Sequence, residues 1–511
     1  MTQVSFDRLP GMSRLFLDYT SDWTKVQRFY RNSYTLDSIV NFGRRRLERG
    51  LPHRDALCQA LAAQQTAFGG KGSTVDRLSG GAVAIVTGQQ PGLFTGPLYT
   101  MLKAISVIKL AKAVTDAGLD AVPVFWVASE DHDYEEIHWA SILDRDSGLR
   151  KLRVDLGNSE SSPVGWLKLK DDAGVAIEEC LANLPPSEFQ PELRGVLEST
   201  YQAGLSPAES FARMMVQLFG ESGLIVVDPL HPDLKAIARP ALQEVVKRNE
   251  ELRRAVLARS REVSQAGYHE QVKVDANFTG LFGFRGQSRQ ALRPGEIQAD
   301  LPLSPNVLVR PVIQDTIFPT AAFVAGPAEI AYLAQAAAVY ETMGVEQTPV
   351  YPRISATLIE GRVARALKKY DLQLTDALQG KEFVKRRAVG TVPGAELFKA
   401  VKDNLSASLE SLRPALNAVD STLAGALDTA KQKAAHQVET LETKFINAEA
   451  KRNEVMEKQL DLVVNSLFPE KKLQERLLNV TSFAARYGLG FLDRLEKAVL
   501  LDSTQHQVVD I

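Results

Sequence analysis

The chain has 511 residues, 45% hydrophobic and 24% charged, a globular composition too long for a single core. Sixty Lys and Arg against 62 Asp and Glu leave a net charge of −2, so no overall basic field draws in nucleic acid or an anionic membrane. Two cysteines, Cys58 and Cys180, make neither a disulfide framework nor a zinc-ligand set and suit a reducing compartment.

The N-terminus has no basic start followed by an apolar run, and no stretch approaches the roughly 20 apolar residues of a bilayer span. The expectation is a soluble, cytoplasmic protein with no membrane and no nucleic-acid partner. Residues 11–69 read as helical. "AVAIVT", Ala82–Thr87, is a short β-branched run bounded by glycines, as a buried parallel strand is. The loop "GQQPGLFTGP" follows, then a helix with Leu98, Leu102, Ile105, Ile108 and Leu110 at helical spacing, then a second strand-like run, "VPVFWVA". This order is a βαβ unit. Residues 145–220 break the alternation and read as an inserted segment opening on a hairpin in "DSGLRKLRVDLGNSESSPVGWLKL". The pattern returns with the strand "GLIVVDP" and a long helix. "NVLVRPVIQDTIFPTAAFVAGPAEIAYLAQAAAVYETMG" reads as two strands and a helix, and "QTPVYPR" as a last short strand. From 391 the apolar residues step by three and four: Leu405, Leu409, Leu412, Leu416, Val419, Leu423, then Val438, Leu441 and Phe445. That is a coiled-coil seam, with Pro414 kinking or restarting the helix. A helix over 415–465 is about 75 Å long. The chain therefore divides into a first part of an α/β core (1–144), the insertion (145–220), a second part of the core (221–390), a helical arm (391–470), and a segment returning to the core (471–511).

Three stretches carry candidate chemistry. In open α/β sheets the ligand sits at the carboxyl ends of the strands. There the first loop places Gly88, Gln89, Gln90, Thr95 and Gly96, whose glycines let backbone approach a ligand. Thr95 or Gly96 is the expected cap of the helix after Pro97, where free N–H groups face an anion. The loop matches neither the dinucleotide fingerprint nor the P-loop. The second strand ends in Ser129, Glu130, Asp131, His132 and Asp133. These bind a cation, or hold an ammonium group and take its proton, or only start a capped helix at Tyr134. Third, Arg310 sits in an apolar run and needs an anionic partner, from the protein or from a ligand. Gln314 and Asp315 follow it, and Glu329 lies in the first turn after a second Gly-Pro. Arg353 is similar to Arg310, and two arginines suit a dicarboxylate. "GYHEQV", with His269 and Gln271, is a weaker loop candidate.

Together, "GQQPGLFTGPLYT", "FWVASEDHDYEEI", "GYHEQV", "LRPVIQDTIFPTAAFVAGPAEIAYLAQ" and "PRISATLIE" resemble the BshC family over essentially the whole chain. The resemblance implies a Rossmann-type, nucleotidyltransferase-like core, inserted segments, and a coiled coil that supports a homodimer. It implies a ligase that adds cysteine to glucosaminyl malate in the last step of bacillithiol synthesis. On that reading Arg310, Arg353 and Lys103 are clamps for the malate carboxylates, and His132, Asp131 or Glu130 is the base. ATP or ADP is the implied nucleotide. The HIGH and KMSKS strings of adenylate-forming relatives are absent, with "GLFTGP" at about the place of the first, so the activating cosubstrate stays open. A non-catalytic nucleotide-binding scaffold and a metal-dependent hydrolase built on the acidic cluster are the competing readings.

Overall fold

A computed structural model describes residues 2–157, 161–298, 301–389, 395–452 and 454–511. The chain forms two compact units. The first comprises 1–145, 149–357 and 475–509; the second comprises 146–148, 358–474 and 510–511.

The first unit is built on a five-stranded parallel sheet. Its elements in chain order are β1 (Val83–Gln89), α1 (Tyr99–Asp116), β2 (Ala121–Val127), β3 (Ile225–Val227), α2 (Arg310–Ile317), β4 (Thr320–Ala325), α3 (Pro327–Met343) and β5 (Val350–Pro352). The spatial order is β5-β4-β1-β2-β3. Val83 pairs with Ala121 and Gln89 with Val127, while Phe323 pairs with Val86 on the other side of β1 and with Val350 of β5. Every residue of β2 and β4 is buried, which explains their unbroken apolar sequence: a central parallel strand meets core on both faces. The chain winds outward from β1 through β2 to β3, then crosses to β4 on the opposite side. β1 and β4 therefore flank the point where strand order reverses, the place at which such sheets bind ligands.

Two local readings are corrected. Arg310 stands in the helix α2, not in a strand; Pro311, in its first turn, lacks an N–H that the helix would not use there. The helix at Tyr134 is a single turn, Tyr134–Ile137, after which Trp139–Leu143 is a strand paired antiparallel with Leu149–Arg153. The hairpin thus begins ahead of the insertion's expected start, and Asn158–Glu160 of the expected hairpin lie outside the described residues. A second small antiparallel sheet, Leu281–Arg285, Ser288–Ala291 and Leu303–Pro305, precedes α2. The segment after Glu475 returns to this unit, as its apolar pattern suggests, and its last strand, His506–Asp510, pairs antiparallel with Thr2–Val4.

The second unit is helical. α4 (Ala395–Glu410), α5 (Arg413–Val419) and α6 (Leu423–Arg452) follow one another, and α4 packs against α6. Phe398 meets Phe445 with ring centroids 5.3 Å apart, and Lys402 bonds Glu442 at 3.0 Å. The long helix starts at Leu423 and not at 415. Pro414 restarts a short helix whose end at Asp420 is a break in the chain's path. Position 453, inside the expected helix, lies outside the described residues; a helix Glu454–Leu467 follows it and stops before Pro469.

Candidate active site

A cavity of about 390 Å³ opens beyond the carboxyl ends of the strands. β1 and the loop after it supply Gly88, Gln89 and Gln90; the loop after β2 supplies Glu130 and Asp131; the turn before α3 supplies Gly326 and the first turn of α3 supplies Glu329; Arg353 follows β5, and Arg310 comes from α2. The three sequence stretches therefore converge, but only in part. Thr95, Gly96, Ser129, His132, Asp133, Gln314 and Asp315 are not among its lining residues.

The glycine loop divides into two halves. Gly88 lies so close to β2 that an added Cβ would stand 3.0 Å from the Trp126 carbonyl oxygen. Beyond Gly92 the loop turns inward. Phe94 and Thr95 adopt positive φ of 50° and 74°, costly for side-chain residues. Neighbours hold them there: the Thr95 N–H donates to the Tyr201 hydroxyl at 3.0 Å, and Asn479 Nδ2 donates to the Phe94 and Gly96 carbonyls at 2.9 and 2.7 Å. Thr95 and Gly96 are thus packing elements, and Leu98, not either of them, precedes α1 as its cap residue.

Lys103 of α1 is not free to clamp a substrate. Its Nζ donates to the Gly88 carbonyl (2.7 Å) and Gln89 Oε1 (3.0 Å) and pairs with Glu329 Oε2 at 2.6 Å. Glu329 Oε2 also accepts the Gly326 N–H at 2.7 Å, which caps the start of α3. Burial pulls the Lys103 ammonium below its usual pKa, and Glu329 opposes that pull.

The acidic run after β2 is dispersed by its partners. Ser129 donates to Asp228 at the end of β3, and Glu130 pairs with Lys235. Asp131 accepts from Gln90 Nε2 (2.6 Å), from the His132 N–H (2.8 Å) and from Arg289 Nη1 (3.3 Å). His132 Nδ1 stands 3.0 Å from the same Arg289 nitrogen, and desolvation and the guanidinium together lower its pKa. Arg289, 6% exposed, is anchored by Ser304 Oγ and the Pro305 carbonyl. Among the described residues no group of three His, Cys, Asp or Glu side chains is placed to hold a metal ion. Gln90 Oε1 is buried without a donor among the described residues.

The arginines separate into tied and open. Arg353 donates to Glu475 Oε1 at 2.5 Å and to the Ile354 carbonyl at 2.7 Å, so it is a buried structural pair as well as a wall of the cavity. Arg310 donates to Gln314 Oε1 (2.9 Å) and the Tyr332 hydroxyl (3.3 Å), and no carboxylate of the described residues forms an ion pair with it. Its guanidinium also lies over the Phe323 ring, 5.4 Å from the centroid. Gln314 and Asp315 point into the interior, where Asp315 accepts from Tyr340 and Thr348 at 2.5 and 2.6 Å. His269 and Gln271 lie in a coil that does not line the cavity.

Sequence reasoning missed Arg289, Glu136, Tyr99 and Arg476, all in the cavity wall. Arg289 and Arg476 come from segments more than a hundred residues from the acids they face, and no spacing could signal them. Tyr99, in the first turn of α1, is pushed up to about 12 by burial.

Comparison with known proteins gives the same assignment throughout. A family model described as "Bacillithiol biosynthesis BshC, N-terminal Rossmann-like domain" matches residues 1–300 and 296–354, and one described as "Bacillithiol biosynthesis BshC, C-terminal coiled-coil domain" matches 356–511. Relatives carry the provisional name cysteine ligase BshC. That of Koribacter versatilis is 34% identical over 523 residues, 97% of each chain. That of Solibacter usitatus is 34% identical over 530 residues, 99% of each, and that of Salinibacter ruber 32% over 526 residues, 97% of this chain and 96% of the relative. With a parallel sheet carrying the site and a helical second unit, this chain belongs to the BshC family of bacillithiol biosynthesis.

Proposed function

We propose that this protein is a carbon–nitrogen ligase that joins the carboxyl group of cysteine to the amine of glucosaminyl malate. The observation that carries the reading is Arg310: a guanidinium in the cavity wall with no carboxylate partner in the fold, sharing that cavity with Asp131 and the unsatisfied Gln90 Oε1. One end suits a carboxylate of malate, gripped by the planar fork of arginine; the other suits an amine, which needs acceptors. The first turn of α3 opens on the same cavity and favours a further anion, a phosphate or the cysteine carboxylate. ATP is the activating cosubstrate in this proposal, since a carboxylate does not acylate an amine unless an oxygen is first made a leaving group. The names of the relatives support the ligase class.

Purified protein with glucosaminyl malate, cysteine and ATP should yield bacillithiol by mass spectrometry. No product with any nucleotide would overturn the reading. Replacing Asp131 and His132 together by alanine separates ligase from scaffold: thiol production in cells stops for the first and persists for the second.

The protein is further proposed to be a cytoplasmic homodimer held by the arm. Leu397 and Leu441 are 63% and 60% exposed there, beside the Phe398–Phe445 contact, and Val401 is exposed next to the Lys402–Glu442 pair. Light scattering at micromolar concentration should report a dimer, and Leu441→Lys should convert it to monomers.

A further inference from the structure

Of the carboxylates in the cavity wall, Glu136 is the one the fold leaves open. Glu130 is held by Lys235, Asp131 by Gln90 and Arg289, and Glu329 by Lys103 and the Gly326 N–H. Glu136 lines the cavity, and no hydrogen bond or ion pair among the described residues engages its carboxylate. Its position is nevertheless fixed. The turn Tyr134–Ile137 is pinned by buried Ile137, by the Tyr134–His138 ring stack at 4.6 Å, and by Trp139 Nε1 donating to the Glu135 carbonyl at 2.7 Å.

We infer that Glu136 is the catalytic base that takes a proton from the acceptor amine, with Arg476 of the same cavity wall as a counter-charge. The inference rests on the amide-forming reading above and names the group that serves it. The acceptor nitrogen loses two protons between ammonium and amide. Glu136 takes one, which frees the nitrogen lone pair to attack the carbonyl carbon of cysteine activated by ATP as an acyl phosphate or acyl adenylate. The other leaves with the departing phosphate oxygen, which carries off the electron pair of the broken C–O bond. The charges facing Glu136 fit a proton acceptor. Desolvation first, then Asp133 and Asp131 on its own segment, raise its pKa above the usual carboxylate value; Arg476 from the returning C-terminal segment and Lys103 from α1 oppose them. A carboxylate whose pKa is raised is a better base.

The test uses the full chain. Glu136→Gln should lower kcat/KM at neutral pH about 100-fold and abolish the acidic limb of its pH profile, while Glu136→Asp retains that limb. Arg476→Gln should move the limb to higher pH, because the cation that favours the carboxylate is gone. Calorimetry gives a readout without turnover: Glu136→Gln should weaken glucosaminyl malate about tenfold and leave glucosyl malate, which lacks the amine, unchanged. A Glu136→Gln enzyme that keeps its acidic limb, or one that weakens both ligands equally, overturns the assignment. Absence of product from the unaltered protein overturns the ligase reading instead, and the two affinities then still decide whether Glu136 meets the amine.

Discussion

Lys103 Nζ lies 2.6 Å from Glu329 Oε2, which joins the helix after β1 to the helix after β4 across the point where strand order reverses. Both helices start at the cavity, and both members of the pair line it. The Lys103 side chain is 4% exposed, and all three of its donors are used. Removing one member of a buried pair strands the other. Lys103→Met should therefore cost about 3–5 kcal/mol of unfolding free energy. The double change with Glu329→Gln should recover part of the loss, because no unpaired charge remains. Urea unfolding followed by circular dichroism checks both, and equal midpoints for Lys103→Met and the parent would contradict the role.

Arg310 should behave in the opposite way. On the proposed reading its free donors serve a ligand, and it forms no ion pair among the described residues, so Arg310→Gln should leave the unfolding midpoint nearly unchanged and weaken the acceptor about 10- to 100-fold, the range of a lost charged hydrogen bond. Arg310→Lys should restore little, since an ammonium cannot reproduce the bidentate fork. Calorimetric titration with glucosaminyl malate reads this directly. Affinity within twofold of the parent would show that Arg310 meets no carboxylate.

Much of this arrangement was legible before any coordinates, and the exceptions have physical causes. "AVAIVT", "VPVFWVA" and "GLIVVDP" announce three sheet strands, because buried parallel strands need apolar residues on both faces. Gln90, Asp131 and Glu329 could be placed at one rim from strand polarity alone. "NVLVRPV" deceived because a short apolar run fits a buried helix as well as a strand, and Pro311 at a first helical turn is the only cue to the difference. Thr95 looked like a cap because the grip of Asn479 and Tyr201 on its loop comes from distant segments. Lys103 and Arg353 looked like open cations for the same reason: their acids, Glu329 and Glu475, lie 226 and 122 residues away.

Arg289 acts through His132. Its guanidinium stands against the imidazole and contributes, after desolvation, to the lowered pKa of that ring. Arg289→Gln removes a positive charge, so the imidazolium becomes easier to form and the His132 titration should move up in pH. NMR of the ring protons in parent and variant would show it. The same variant removes one of the two donors to Asp131 Oδ1, leaving the His132 N–H, so acceptor affinity should also change. An unmoved titration would mean that desolvation alone sets the value.

His506, on the last strand, carries a pH dependence of stability that can be isolated. It is fully buried between two hydroxyls, with Nδ1 2.8 Å from Ser355 Oγ and Nε2 2.8 Å from Thr357 Oγ1. Burial first, and Arg353 with it, hold the ring down to about 4, against the opposing pull of Glu475. In the unfolded chain the same ring titrates near ~6.5. Between those values the unfolded state binds a proton that the folded state refuses, so stability falls as pH drops from about 6.5 to about 4 and levels off below that. The full shift corresponds to about 3 kcal/mol. His506→Gln keeps an amide able to bond one hydroxyl but cannot titrate. Urea unfolding of parent and variant at several pH values between 7.5 and 4 cancels the carboxylates common to both. The parent should lose more stability than the variant across that window; parallel curves would mean that His506 is protonated in the folded protein and that its pocket is more polar than the two hydroxyls make it.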